Sequence, residues 1–148
     1  MRGTASIKVN KPIEEVWQFI ADLGNSSQWL DGVSGVEPTS EGDIARGATF
    51  TSKYKFDGKS HQVSYLLTEF EPPRRISYRV SGGPHPALNQ LELKSTGSAT
   101  RVSHLMEMDV NQQSIGAVFL GLGPIVRLTI MFKLRKDLKK LKARLEAS

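Results

Sequence analysis

The last third of the chain carries the feature that most constrains its fold, a long amphipathic helical pattern. The apolar positions of this pattern recur every three or four residues and are Leu128, Met131, Leu134, Leu138, Leu141 and Leu145. This spacing places the side chains on one stripe of an α-helix. One such stripe needs a broad apolar surface to pack against, so we expect the chain upstream of about Ser114 to supply that surface.

The first thirty residues predict one strand followed by two short helices. Residues 4–9 alternate between polar and apolar side chains, as a half-buried strand does. Asn10 is a residue type that caps helices, and Pro12 and two glutamates follow it at positions that favour a helix N-terminus. A second short helix is expected over residues 26–30.

The middle of the chain predicts an antiparallel sheet. Alternating segments are separated by turn residues, and Asp57-Gly58 is the strongest hairpin signal among them. The expected strands cover residues 33–38, 47–56, 61–70, 76–80, 88–94 and 101–110. Together with the first strand they form a sheet whose apolar face must be covered. The sequence therefore predicts an α+β fold in which a curved antiparallel sheet of six to seven strands wraps the long C-terminal helix.

Composition narrows the classes of function. The 148 residues fit a single domain spanning 1–148, and the absence of Cys excludes thiolate nucleophiles and Cys-ligated metals. The formal net charge is +5, and the excess is concentrated on the last helix, at Lys133, Arg135, Lys136, Lys139, Lys140, Lys142 and Arg144. These cations are interpreted as a solvated helix face, with an interaction module that docks on an acidic partner or membrane surface as the alternative.

Targeting and partner signals are few. The N-terminus has no apolar signal-peptide core, so a cytoplasmic location is expected. The apolar residues 115–134 are interrupted by glycines, Pro124 and two cations, so stable membrane insertion is not expected. The second helix is too short and lacks a cluster of base-reading side chains, so nucleic acid is not an expected partner. The oligomeric state is not fixed by the sequence, and a homodimer is left open.

Four short segments of the sequence resemble segments of a known protein family. They are Ile-Lys-Val-Asn-Lys-Pro-Ile-Glu-Glu-Val-Trp at 7–17, Ser-Gln-Trp-Leu at 27–30, Glu-Phe-Glu-Pro-Pro-Arg-Arg-Ile at 69–76 and Gly-Ser-Ala-Thr-Arg-Val at 97–102. With the element order, they resemble the polyketide cyclase/dehydrase and lipid-transport family of the START and Bet v 1-like (SRPBCC) superfamily, which has the helix-grip fold. The resemblance implies an apolar cavity between sheet and helix, used by members for lipids, sterols, hormones or polyketides, some of them as enzymes.

A gap between a curved sheet and a straight helix is also expected on physical grounds, and it is a natural ligand site. The side chains predicted to face it are Phe50, Tyr54, Tyr65, Tyr78, Leu91, Leu93, His104, Met106, Met108, Ile125, Leu128 and Phe132. The leading hypothesis is a protein that binds a small hydrophobic ligand, such as a lipid, an isoprenoid or a polyketide-like molecule. For each residue taken singly, ordinary core packing is the competing interpretation.

Catalysis is the alternative, as a cyclase or dehydratase of a polyketide-like substrate in the same cavity. His104 is the candidate acid or base, because it lies among apolar neighbours on the expected inner face. A buried His satisfied by a neighbouring polar group is the competing interpretation. No catalytic set is recognised, so whether the protein is an enzyme is left open.

Metal and cofactor sites are not expected. His61, His85 and His104 are scattered along the chain without the spacing of metal ligands. Gly121-Leu122-Gly123 lacks the Lys and Ser/Thr of a phosphate-binding loop. The Gly-rich apolar residues 111–123 are interpreted instead as a gate at the mouth of the cavity.

Overall fold

The computed structural model describes residues 1–109 and 121–147. The secondary structure begins with a strand and a short helix and ends with one long helix. In chain order the elements are β1 (Arg2–Val9), α1 (Ile13–Ala21), a 3₁₀ helix (Leu23–Gln28), β2 (Val33–Pro38), β3 (Thr49–Phe56), β4 (Lys59–Glu71), β5 (Arg75–Ser81), β6 (Ala87–Thr96), β7 (Ala99–Met108) and α2 (Gly123–Glu146). The proposed gate lies mostly in residues 111–120, which are outside the described residues.

The seven strands form one antiparallel sheet in the order β1-β7-β6-β5-β4-β3-β2. Each neighbouring pair from β2 to β7 is consecutive in the chain, and β1 joins the far edge beside β7. Asp57 and Gly58 both have positive φ angles, as a two-residue hairpin turn requires, and Phe56 pairs with Lys59 across them. The α+β fold with a sheet of six to seven strands and a long C-terminal helix is confirmed.

The two short helices differ from the prediction in detail. Asn10 does not cap α1, because Pro12 occupies the N-cap position and provides no side-chain cap. The backbone N–H of Asn10 instead donates to Glu146 Oε2 at 3.2 Å, which links the end of β1 to the end of α2. The second helix is a 3₁₀ helix that begins three residues earlier than expected, where the Asp22 carboxylate accepts from the Gly24 N–H.

The buried stripe of α2 is also offset from the prediction at its N-terminal end. Leu134, Leu138, Leu141 and Leu145 are buried as expected, but the earlier position is taken by Ile130. Leu128 lies two residues from Ile130 and thus about 200° around the helix, so it faces outward. Ile130 packs against β1 at Gly3, where the Cβ of any other residue would lie 2.6 Å from Ile130 Cγ2.

The packed core lies between the C-terminal half of α2, α1 and one end of the sheet. Its least exposed members are Val9, Val16, Ile20, Leu67, Ile76, Leu91, Val102, Leu134, Leu138 and Leu141. Within the described parts of the chain, no helix is both long and apolar enough to cross a membrane.

Candidate functional site

A cavity of about 310 Å³ lies between the inner face of the sheet and the N-terminal half of α2. Its size falls in the range of roughly 300–1,000 Å³ that is common for ligand pockets. The described residues that line it are mostly apolar or aromatic. They are Leu30, Val33, Tyr54, Phe56, Val63, Tyr65, Tyr78, Val80, Gly82, His85, Asn89, His104, Met106, Met108, Val126, Thr129, Ile130 and Lys133.

Strand alternation and antiparallel order place this cavity at one end of the sheet. Inward-facing residues near the ends of β3, β5 and β7 and near the starts of β4 and β6 line it. At the other end of the same face, the inward residues on β5, β6 and β7 are Ile76, Leu91 and Val102, which belong to the packed core. The inner face is therefore divided into a packed half and a hollow half.

The structure brings together half of the twelve predicted cavity residues. Those that line the cavity are Tyr54, Tyr65, Tyr78, His104, Met106 and Met108. Phe50, Leu91 and Leu93 face inward as predicted, but they lie in the packed core, so their placement at the cavity was wrong. Alternation identifies the inner face of a strand but not which end of that face remains open.

The predicted positions on α2 were wrong because they lie on the opposite side of the helix. Ile125, Leu128 and Phe132 are 58%, 52% and 65% exposed. The cavity is lined by Val126, Thr129, Ile130 and Lys133, which also follow a spacing of three and four. Two of these four are polar, so a search for apolar residues selects the wrong face.

The aromatic side chains of the cavity form two contacting groups. Tyr65 and Tyr78 meet edge to face at 5.6 Å, and the Phe56 ring meets His85 at 4.4 Å in the same manner. The Tyr54 hydroxyl lies 3.4 Å from His85 Nδ1. Burial raises the pKa of each of the three tyrosine hydroxyls, so all three carry their protons at neutral pH.

His104 is enclosed more completely than a working acid or base would be. It is 1% exposed, and its Nε2 lies 2.9 Å from Asn89 Oδ1, to which it donates as a neutral imidazole. Its Nδ1 is buried and has no hydrogen-bond partner among the described residues. Burial, aided by the charge of Lys133, lowers the pKa of His104 to about 3. The imidazole is therefore neutral near pH 7.

Lys133 and Asp137 form a pair that the sequence interpretation did not place at the site. Lys133 Nζ donates to Asp137 Oδ2 at 2.7 Å, and Asp137 is fully buried. The signal was present in the sequence: an acid four residues after a lysine, on the stripe that also holds Leu134 and Leu141. His85 was missed for another reason, because it lies in the β5–β6 loop, whose path the sequence does not reveal. Asn89 shares the inner face of β6 with Leu91, but a search for apolar side chains passes over it.

The cations of α2 are partly engaged within the chain. Lys140 Nζ lies 3.7 Å from Asp31 Oδ1, Lys142 Nζ donates to the Lys8 carbonyl at 2.8 Å, and Arg144 Nε donates to Gln28 Oε1 at 2.6 Å. The interaction module therefore stays a prediction that rests chiefly on Arg135, Lys136 and Lys139. Among residues 1–109 and 121–147, no three His, Asp or Glu side chains are grouped closely enough to hold a metal ion.

Solved structures share this architecture at low sequence identity. A START superfamily protein from Mycobacterium smegmatis matches with a TM-score of 0.82 and 15% identity over 99% of this chain and 97% of that chain. A Thermus thermophilus protein matches with a TM-score of 0.78 and 17% identity over 99% and 98%. The ZhuI aromatase/cyclase from Streptomyces sp. R1128 matches with a TM-score of 0.77 and 13% identity over 99% and 93%.

The sequence itself carries the family assignment. No protein of curated function matches it. The sequence profile of the family described as polyketide cyclase/dehydrase and lipid transport matches residues 1–146, almost the whole chain. The chain therefore belongs to the polyketide cyclase/dehydrase and lipid transport family, with the START-like, helix-grip fold that its structural neighbours share.

Proposed function

We propose that this protein binds a small apolar molecule, such as a lipid, an isoprenoid or a polyketide-like compound, in the cavity between the sheet and α2. The observation that carries the proposal is the cavity itself, about 310 Å³ of space walled mainly by apolar and aromatic side chains. An apolar molecule that enters this space moves its surface from water into contact with apolar side chains, which is favourable. Met106 and Met108 are flexible enough to adapt to its shape.

The test is fluorescence titration with N-phenyl-1-naphthylamine, a neutral apolar probe. Val80 lines the cavity, and Val80→Trp would fill much of it with an indole ring. We expect wild type to bind the probe and Val80→Trp to bind at least about tenfold more weakly, which corresponds to roughly 1.4 kcal/mol. Equal binding by the two proteins would refute the cavity as the binding site.

Leu66→Trp is the matched control. Leu66 lies on β4 with 44% of its surface exposed, outside the residues that line the cavity. The same substitution there adds an indole to the outside of the sheet and should leave probe binding unchanged. Mass spectrometry of freshly purified protein, native and then denatured, would identify a molecule that the cavity already carries.

A second candidate is cyclisation or dehydration of a polyketide-like chain in the same cavity. It is favoured by the contact between the Tyr54 hydroxyl and His85 Nδ1, which joins two proton-carrying groups at the wall. Burial lowers the pKa of His85, so its imidazole is neutral at pH 7 and can accept a proton. His104 is less suited to this role, because its pKa of about 3 leaves it a weak base.

Turnover of a poly-β-keto thioester by wild type, His85→Phe and His104→Gln would test this second candidate. We expect His85→Phe to lose most of the activity of wild type, and His104→Gln to retain it. Chromatography measures the amount of product formed over time, which gives the rate, and the ratio of products, which gives the cyclisation pattern. Full activity in His85→Phe would remove His85 from the reaction, and loss confined to His104→Gln would return the role to His104.

A further inference from the structure

The wall that α2 contributes to the cavity contains one cation. Among the described lining residues, Lys133 is the single Lys or Arg, and its side chain is 30% exposed. It lies between Ile130 and Leu134, which are both buried, on the side of α2 that faces the sheet. A lysine with an ordinary solvent role would extend from the opposite face, as Lys136 and Lys139 do.

Asp137 fixes the position of this ammonium group. One carboxylate oxygen, Oδ2, accepts from Lys133 Nζ at 2.7 Å, and the other, Oδ1, accepts from the backbone N–H of Asp31 at 3.2 Å. Both oxygens of the buried carboxylate are thus engaged, one by the lysine and one by the backbone. This arrangement holds the lysine side chain in one place.

The charge of Lys133 acts on both imidazoles at the cavity. Burial is the main cause that lowers the pKa of His85 and of His104, and the positive charge of Lys133 lowers both further. These two residues belong to different parts of the sheet, the β5–β6 loop and β7. Lys133 also lines the cavity, as His85 and His104 do, so all three groups border the same space.

Two of the three N–H groups of Lys133 have no acceptor in the described part of the chain. Asp137 takes one, and the other two are open to solvent, since the side chain is 30% exposed, and to a molecule in the cavity that Lys133 lines. A ligand that brings an oxygen atom to this point would accept from one of them.

We propose that Lys133, held by Asp137, recognises a neutral carbonyl oxygen on the ligand, such as that of a ketone, a quinone or an ester. This inference rests on the proposed function, since it names the chemistry of the molecule in the same cavity. Asp137 already neutralises Lys133, so a ligand carboxylate would meet a second negative charge close by. A carbonyl oxygen accepts a hydrogen bond without adding either a charge or a donor of its own.

Three naphthalenes of similar shape test the inference by displacing N-phenyl-1-naphthylamine. They are 2-acetylnaphthalene, 2-isopropenylnaphthalene, in which a CH₂ group replaces the carbonyl oxygen, and 2-naphthoate. In wild type we expect the ketone to bind about tenfold more tightly than the alkene, as one charge-assisted hydrogen bond allows. In Lys133→Met this preference should disappear, with the affinity for the alkene retained.

Two further variants test whether a loss of the preference for the ketone could come from a disturbed structure instead of the missing ammonium group. Lys133→Met leaves the buried Asp137 without its partner, so the double variant Lys133→Met, Asp137→Leu removes the whole pair and should show the same loss of preference. Lys136→Met removes an exposed cation three residues further along and should keep the preference of wild type.

The outcomes separate this inference from the proposed function. If the ketone and the alkene displace the probe equally well, the cavity binds apolar molecules and the carbonyl site is refuted. Tighter binding of 2-naphthoate would refute it in favour of an anion site, and a preference that survives in both Lys133 variants would place recognition elsewhere. If neither the probe nor any naphthalene binds, the proposed function falls and the inference falls with it.

Discussion

At His104 the fold encloses an imidazole almost completely. Asn89 accepts from Nε2, Trp29 contacts the ring at its edge, and Lys133 on α2 adds a positive charge nearby. Burial by these neighbours, followed by the charge of Lys133, favours the neutral ring over the protonated one. The residue that the sequence presents as an acid or base is thus better described as a neutral member of the wall.

The enclosure of His104 predicts a pH dependence of stability. Its pKa is about 3 in the folded protein and about 6.5 when unfolded, so the unfolded chain binds more protons between these values. The free energy of unfolding should therefore fall with decreasing pH, by about 1.4 kcal/mol per pH unit between about pH 6 and pH 4. Urea denaturation at several pH values measures this slope.

His104→Gln isolates the contribution of this residue. The variant keeps a hydrogen-bonding group opposite Asn89 but cannot titrate, so its stability should depend less steeply on pH than that of wild type. His85, whose pKa is also lowered, contributes in the same direction in both proteins and cancels in the comparison. If the free energy of unfolding depended on pH with the same slope in both proteins, the pKa of His104 would not be lowered in the folded state.

Among the elements, β1 and α2 come close together at Gly3. The Cβ of any other residue there would lie 2.6 Å from Ile130 Cγ2, and the Cβ of Ile130 would be 3.1 Å away. Ile130 is β-branched and buried in the middle of a helix, so its rotamer cannot change freely. The absence of a side chain at Gly3 therefore sets how near the helix can come to the edge of the sheet.

Gly3→Ala should destabilise the protein by about 1–3 kcal/mol, the usual range for overpacking a core. Gly123→Ala is the matched control, because no atom of the described residues lies within 4 Å of the Cβ it would add, at the first turn of α2. A Cβ before Pro124 disfavours helical backbone slightly, but it meets no neighbour, so the cost should be smaller than that of Gly3→Ala. Thermal denaturation of the two variants compares them. A Gly3→Ala protein as stable as wild type would mean that β1 and α2 adjust their separation easily.

The sequence predicts individual helices and strands well, but it does not predict how they pack against one another. Alternation and the Asp57-Gly58 turn predict the strands and their inner faces, because period and turn chemistry are local properties. The hollow end of the sheet and the cavity face of α2 depend on how two elements meet, and no local pattern specifies this. Gly3 is far from α2 in sequence, yet it leaves room for Ile130 against β1, a contact that no local pattern around Ile130 reveals.

Across the whole molecule, packing is uneven along α2. Its C-terminal half is fully buried at Leu138 and Leu141 and is tied to other elements by Lys142 and Glu146. Its N-terminal half borders the cavity. The stability of the protein should therefore come mainly from the first of these regions and its ligand selectivity from the second.

Two truncations of similar size test this division. Leu141→Ala removes side-chain atoms from a closely packed site and should cost about 3–5 kcal/mol, whereas Ile130→Ala enlarges an existing cavity and should cost about 1–2 kcal/mol. Urea denaturation gives both values. Ile130→Ala should also accept bulkier apolar probes than wild type does. Equal losses of stability would show that the wall of the cavity is as important to folding as the core.

This separation has a consequence for how such a protein can change over evolutionary time. The side chains that hold the fold and those that line the cavity are largely different sets, at opposite ends of one sheet face. Substitutions at Val80, Met106 or Met108 can alter the shape of the cavity at little thermodynamic cost. A gene encoding this arrangement can thus drift toward a new ligand by single steps, each of which still yields a folded protein.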